Sequence, residues 1–353
     1  MSLEKLRKQI NETDKKLIEV LNQRASIILR IGAIKKKTGK GIYCADRESE
    51  ILKGIARTNK GPLKSEALKA IYSEIMSASR ALEKPLTIAF LGPQATFTHQ
   101  ASLKKFGSQV KYLSCGNISD VFNEVEKDAA DYGVVPIENS IEGAVNYTQD
   151  MFIDSDLKIC SQMSLDISHN LLANCPLERI KKVYSVPQVF GQCRIWLRDN
   201  LARAELIEVS STTKAAQTAA REKNSASISS ILAAKIYGLR VACRNIEDSP
   251  HNITRFFVIG KDQAGITGHD KTSLMFSIKD KIGALHEMLE PFRKYKVNLN
   301  KIESRPSKKK AWDYYFFIDL EGHILEPRIK KAIDELENKC KFLKVLGSYP
   351  VGE

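Results

Sequence analysis

No charge-free apolar run in the 353 residues approaches the length of a membrane span. Met1 to Lys8 leads into a charged amphipathic segment, not a signal-peptide core. A cytoplasmic protein with no membrane partner is therefore expected. Paired cysteines are missing as well. The seven (Cys44, Cys115, Cys160, Cys175, Cys193, Cys243, Cys340) are odd in number, scattered and never in CxxC spacing, which argues for reduced, mostly buried thiols over a disulfide frame. The six histidines are equally dispersed, with no HExxH and no Cys/His clustering. Neither a metal site nor a Cys/His nucleophile pair has support, so the expected chemistry uses no metal and no cofactor.

What is present is length and charge. A chain of 353 residues exceeds what one hydrophobic core usually supports, so two or three domains are expected. The net charge of +13 suggests nucleic acid at first sight, but its distribution matters more than its sum. Residues 1 to 85 carry 19 Lys and Arg against 10 Asp and Glu, residues 86 to 268 carry 19 against 19, and residues 269 to 353 carry 17 against 13. The excess is mainly N-terminal. Solvated helix faces explain most such excesses, yet a basic helical module also suits a small anionic ligand.

Three periodicities follow one another. Leu3, Leu6, Ile10, Leu17, Leu21, Ile28 and Ile31 recur at the three-and-four spacing of an amphipathic helix, which stops at Thr38 to Gly41. Asp46 is a plausible N-cap for a second helix, and a third runs from Ser65 to Glu83. Residues 1–84 thus read as an all-α segment. From Leu86, short apolar runs (Leu86–Leu91, Gly133–Ile137, Lys182–Ser185, Leu206–Val209, Arg255–Ile259) alternate with helical pieces such as Lys214–Arg221. This predicts an α/β domain over 86–263. After a linker at Gly265–Asp270, residues 271–353 read strand (Ser273–Ile278), helix (Ala284–Tyr295), strand (Asn298–Ser304), strand (Trp312–Leu320), helix (Glu326–Glu337), strand (Phe342–Tyr349). That order is α+β, βαββαβ, with Lys308, Lys309 and Lys310 in a hairpin loop.

The first helix carries a cation pattern. Arg24 and Lys35 lie three turns apart on one face, with backbones about 16 Å apart, so their long side chains can converge on a small ligand. Arg7, about 25 Å before Arg24 along the same rod, reaches that ligand only from another chain. These positions, with Arg47 and Glu48 in ADRESE and the stretch IYSEIMSASRALE at 71–83, resemble the all-helical chorismate mutases. The resemblance implies an intertwined dimer in which Arg24, Lys35, Arg47 and the second chain's Arg7 hold the substrate's carboxylates and ether oxygen. Glu48 would take the ring hydroxyl, and Ser79 and Glu83 complete the pocket. The reaction is a pericyclic rearrangement of a dianion, so it needs a compact conformation and well-placed cations, not a nucleophile. Glu83 would face the ether oxygen and repel it unless protonated, a state that burial favours. Cys44 stands where relatives often carry Asp.

The middle segment contains GPQATFTHQA (92–101), VVPIENSIEGAV (134–145), VYSVPQ (183–188) and NIEDSPHNITRFFVIG (245–260). In this order they resemble the prephenate dehydratases. That implies two α/β lobes similar to periplasmic binding proteins, with prephenate between them. Thr254 would be the main catalytic residue, with Thr96, Glu138, Asn139, Ser140, Ser185, Gln188, Arg255 and Phe256 lining or supporting the cleft. Ala95 stands where relatives often have Gly, and Val186 where they often have His.

GALHEML (283–289) and NLNKIESRP (298–306) resemble the ACT regulatory domains attached to such dehydratases. The resemblance implies an allosteric phenylalanine site made of Gly283, Ala284, Leu285, Asn300, Glu303, Ser304 and Arg305. A glycine at a helix start permits close approach, and free amides there attract a carboxylate. Glu303 would hold the ammonium group. Together the three segments predict an enzyme of phenylalanine biosynthesis, feedback-inhibited by L-phenylalanine and assembled as a homodimer or homotetramer. Two rivals are carried. One is a ligand-binding regulator on the same folds without catalysis, against which Thr254 and the Glu138–Ser140 block argue. The other is a nucleic-acid binder, which no helix-turn-helix, zinc or aromatic-basic module supports.

Overall fold

The computed structural model describes residues 2–38, 43–278, 281–307 and 314–351. The break expected at Gly39 to Gly41, the loop at Lys308 to Lys310 and the strand start at Trp312 lie outside them.

Three helices open the chain: α1 (Leu3–Thr38), α2 (Ala45–Thr58) and α3 (Ser65–Glu83). α3 packs on both others. Gly32 sets the closest approach, since a Cβ there would stand 3.0 Å from Glu83 Cγ. Along α1 the apolar stripe stays in the open: Leu3, Ile10, Leu17, Ile18, Val20 and Ile34 are each more than half exposed. Asp46 does not cap α2. The helix already begins at Ala45 behind an extended Cys44, and Asp46 sits in its first turn, against the positive end of the helix dipole.

The middle segment folds as two lobes. The first contains β1 (Thr87–Leu91), α4 (Phe97–Phe106), β2 (Lys111–Cys115), α5 (Ile118–Glu126), β3 (Tyr132–Asn139), β4 (Gly143–Ala144), α6 (Asn146–Asp154) and β5 (Lys158–Asp166). The second contains β6 (Asn170–Ala173), β7 (Lys182–Ser185), α7 (Pro187–Gln192), α8 (Arg194–Asn200), β8 (Glu205–Glu208), α9 (Thr212–Arg221), β9 (Ser225–Ser229), α10 (Ile231–Tyr237) and β10 (Arg240–Cys243). β11 (Ile253–Gly260) then returns to the first lobe, antiparallel between β3 and β5. The sheet orders are β2-β1-β3-β11-β5, with β4 beside β3, and β10-β6-β9-β7-β8. The chain therefore crosses between lobes twice, at 167–169 and 244–252.

The last segment has β12 (Asp270–Ser277), α11 (Ala284–Lys294), β13 (Leu299–Pro306), β14 (Tyr314–Glu321), α12 (Pro327–Lys339) and β15 (Phe342–Pro350), in sheet order β13-β14-β12-β15. Strand alternation gives this sheet two working faces. Leu274, Phe276, Ile318 and Leu320 meet α11 and α12 through Met288, Phe292, Ile329 and Leu336. Met275, Phe317, Leu346 and Tyr349 instead join one core with Phe152, Ile159 and Phe257 of the first lobe. Each such side chain contributes roughly 1.5–3 kcal/mol when buried, so an apolar seam holds the module to the lobe.

Candidate functional sites

Two pairs of the expected mutase residues meet between α1 and α3. Arg24 Nη1 donates to Ser79 Oγ at 2.5 Å, and Lys35 Nζ stands 3.6 Å from Glu83 Oε2. The Glu83 side chain is only 7% exposed, so its carboxylate faces the lysine in a shielded space. The other expected residues lie elsewhere. Arg7 is exposed along α1, and Arg47, also exposed, pairs with Glu50. Glu48 is buried in an ion pair with Arg80 and lies 4.0 Å from Lys105 of α4. In this arrangement Glu48 fastens the helices to the first lobe, where Arg80 Nη2 also donates to Phe106 O at 2.7 Å. Burial, with Arg80 adding to it, lowers the pKa of Lys105 to about 8.

The cleft lies where β3 and β11 run side by side at the crossing between lobes. Thr254 is the register partner of Asn139. Asn139 Nδ2 donates to Thr254 Oγ1 at 2.9 Å and to Asn252 Oδ1 at 2.7 Å, while its Oδ1 accepts from the amides of Ile141 and Glu142. The Thr254 oxygen thus has its donor from within the protein, and its own proton is free to be given. Ser140 ties the two strands together, donating to His251 O at 2.8 Å and accepting from Ile253 N at 2.9 Å.

Other expected cleft residues hold the walls. Thr96 caps α4, accepting from His99 N at 3.2 Å and donating to Leu91 O at 3.1 Å. The loop before it spans both lobes, because Thr213 donates to Gln94 O and Ser230 to Ala95 O. Ala95 takes φ 70° there, the left-handed backbone that favours glycine. Ser185 is fully buried and donates to Ile228 O, and Phe256 belongs to the core of the first lobe. Gln188 is exposed on α7. Arg255, one step past Thr254, points to the opposite face, toward Glu138 and the C-terminal sheet.

Three residues extend the Thr254–Asn139 pair. Asn252 Nδ2 donates to Gln192 Oε1 at 3.2 Å, and His169 Nε2 lies 2.7 Å from the same oxygen. An amide oxygen only accepts, so Nε2 carries the hydrogen. Burial pushes the His169 pKa down, which keeps the ring neutral. Asn252 and Gln192 sit within or just beyond the motif blocks, but motif reading alone gave no reason to single them out. His169 lies outside every block.

The residues expected to form the phenylalanine site are spread over two elements. Gly283 precedes α11 at φ 78°, with open space where a Cβ would be, followed by buried Ala284 and part-exposed Leu285. On β13 the alternation places Asn300 and Ser304 outward, whereas Glu303 and Arg305 face α6. There Gln149 Nε2 donates to Glu303 Oε2 at 2.9 Å, and Arg305 pairs with Asp150 at 3.0 Å. Among the described residues no group of acids, histidines and cysteines could hold a metal ion, and no helix is long and apolar enough to cross a membrane.

A helical cation pocket, a two-lobed cleft and a helix-backed regulatory sheet in one chain define a multidomain enzyme of aromatic amino acid biosynthesis. Family models agree with this division: chorismate mutase type II matches residues 6–84, prephenate dehydratase 88–264 and the ACT domain 272–338. The chain belongs to the bifunctional chorismate mutase/prephenate dehydratases. The relative of that name from Aquifex aeolicus (strain VF5) is 51% identical over 353 residues, covering 99% of this chain and 98% of its own. The one from Escherichia coli (strain K12) is 30% identical over 369 residues, covering 98% and 95%. Among solved structures, the prephenate dehydratase of Arthrobacter aurescens in complex with L-Phe superimposes with a TM-score of 0.69 at 33% identity, over 75% of this chain and 90% of that one. The Staphylococcus aureus prephenate dehydratase gives 0.66 at 30% identity, over 75% and 100%.

Proposed function

We propose that residues 1–84, 86–263 and 271–353 act as three units, with Arg24, Lys35, Ser79 and Glu83 at the mutase site and Thr254 at the centre of dehydration. The chain is bifunctional, rearranging chorismate to prephenate and then dehydrating prephenate to phenylpyruvate. In the first step Lys35 stabilises charge developing on the ether oxygen, and Arg24 holds a carboxylate. The apolar stripe left open on α1 supports a second copy packed along it, which brings its own Arg7 to this pocket. Arg47 then turns from Glu50 to the ligand, and Glu48 from Arg80 to the ring hydroxyl.

In the second step the ring carboxylate leaves as carbon dioxide while the ring hydroxyl departs, and the electrons of the broken carbon–carbon bond complete the aromatic ring. The observation that carries the assignment is the Asn139 Nδ2 to Thr254 Oγ1 hydrogen bond. It aims the free hydroxyl proton of Thr254 at the departing oxygen. Thr96, Ser140 and Gln188 line the cleft around that pair, and Glu138, Ser185, Arg255 and Phe256 support it from behind.

Phenylalanine binds the C-terminal unit beside Gly283, Ala284 and Leu285, with Asn300 and Ser304 on the outer face of β13. Glu303 and Arg305 carry the bound state toward α6. The enzyme works in the cytoplasm as a homodimer or homotetramer. One assay tests the whole reading: chorismate is supplied and prephenate and phenylpyruvate are followed with and without phenylalanine. Thr254→Ala should lower dehydration by at least ~10²-fold and leave the mutase rate intact. Undiminished phenylpyruvate formation by this variant removes Thr254 from its role.

A further inference from the structure

A buried ion pair between the C-terminal sheet and the first lobe falls one residue from Thr254. Arg255 Nη1 donates to Asp319 Oδ2 of β14 at 2.7 Å, and its Nη2 lies 3.0 Å from Glu138 Oε2 of β3. The other Glu138 oxygen is 3.3 Å from Lys301 Nζ of β13, and Lys301 in turn is 3.0 Å from Glu303. Two strands of the regulatory sheet therefore grip two strands of the dehydratase through an unbroken run of alternating charges. The grip is dry at its centre, since the Asp319 side chain is 8% exposed and that of Arg255 15%.

Asp319 is itself fixed from behind. Its Oδ1 accepts from Ser273 Oγ at 2.6 Å, and that hydroxyl is 2.6 Å from Tyr349 OH, in a side chain with no exposed surface. The guanidinium stacks over Phe257 at 5.5 Å, which leaves it little freedom to swing. Register completes the argument. Arg255 is opposite Glu138 as Thr254 is opposite Asn139, so the clamped pair is the next rung of the ladder carrying the reactive pair. A β3 irregularity follows immediately, where the pairing jumps from Glu138 to Pro136, so the β3–β11 ladder is interrupted just beyond the clamped rung.

We infer that Asp319 is a positioning residue for dehydration: by holding Arg255 against Glu138 it fixes the strand ends on which Thr254 and Asn139 meet. A displacement of about 1 Å at a reacting group can cost up to ~10²-fold in rate, so a modest loosening of this rung suffices. The inference rests on Thr254 acting in that site.

The test is steady-state dehydration of supplied prephenate by the full chain, with the mutase rate of the same sample as the measure of folding. Asp319→Asn keeps shape and removes charge. Its kcat should fall about 10-fold with the KM for prephenate within about two-fold, because the damage is to alignment and not to binding. Asp319→Glu should recover part of the loss, and Ser273→Ala should show the same kcat-selective change at about three-fold. Wild-type kcat in Asp319→Asn overturns the inference. If Asp319→Asn loses mutase activity too, Ser273→Ala decides, and an unchanged kcat there overturns it. Thr254→Ala runs alongside: retained dehydration in that variant overturns the underlying reading of the site instead.

Discussion

The helical segment and the dehydratase cleft are built on opposite plans. α1 strings Arg7, Arg24 and Lys35 along one rod, and a rod cannot bend its ends to a common point. In the cleft, Asn139 and Thr254 are 115 positions apart in sequence yet adjacent across a ladder. A helix displays its side chains in a line, whereas paired strands gather distant ones at a rung. The first plan leaves an open apolar stripe and brings Arg24 and Lys35 but not Arg7 to the pocket, and the second copy proposed above answers both needs. The second plan closes within one chain.

The sharpest test of that separation is Lys35→Ala. Loss of the cation proposed to face the ether oxygen should lower mutase kcat/KM by about 10³-fold, while dehydration of supplied prephenate stays at the wild-type rate. A parallel fall in both rates would show that the two plans are not independent.

The shared pocket gives a second test. Arg7→Ala and Arg24→Ala should each lower mutase activity by about 10²-fold. When the two variants are unfolded and refolded together, half of the dimers are mixed. Each mixed dimer has one intact site, formed by Arg24 of one chain and Arg7 of the other, so about a quarter of the wild-type rate should return. No recovery in a mixture shown to contain mixed dimers breaks the comparison, because Arg7 would then serve no site across chains.

Within the cleft the expected effect is smaller. Asn252→Ala removes the acceptor that steadies Asn139 Nδ2 and the link to Gln192, but leaves the Asn139–Thr254 bond itself. Dehydration should fall about 10-fold with mutase activity unchanged, measured as in the preceding tests. A wild-type dehydration rate would confine the working group to Thr254 and Asn139.

Much of this fold is legible in the sequence wherever burial is one-sided or a strand is plainly apolar. Ser65–Glu83 and Lys182–Ser185 are helix and strand with the expected bounds, and the βαββαβ order of the last segment holds for its described residues. The strand at Ser225–Ser229 was missed because its SASIS residues are all buried while only two are apolar, so no apolar run marks it. β5 was missed for a related reason, with Ser161 and Gln162 buried in its middle. Periodicity alone predicts an α/β domain over 86–263, and only the resemblance to the dehydratases implies two lobes. The division into two lobes comes from β11 returning after a long excursion, which local pattern does not encode. At the sites, motif blocks contained Thr254 and Asn139, but a string of neighbours conceals which way each points. Thr254 and Arg255 are adjacent letters serving different faces, as are Glu303 and Ser304. Asp319 and His169 make their side-chain contacts with residues far away in sequence, so no motif could carry them.

The seam between the two plans offers the mildest test. Lys105 belongs to the dehydratase lobe but lies against Glu48 and Arg80 of the helices, and burial lowers its pKa from 10.5 to about 8. Below pH 8 the folded and unfolded chains both carry the charge, and the fold bears the full cost of burying it. Between about 8 and 10.5 the unfolded chain binds more protons, so the free energy of unfolding rises with pH. Lys105→Met removes this contribution. Thermal midpoints of the two proteins, compared from pH 7 to pH 10, should therefore shift in favour of the wild type, by an amount corresponding to roughly 1–3 kcal/mol. A difference that stays flat across the window would mean that Lys105 reaches water as freely as an ordinary surface lysine. The helices would then rest on the lobe at this point through the Arg80–Phe106 bond without a buried third charge.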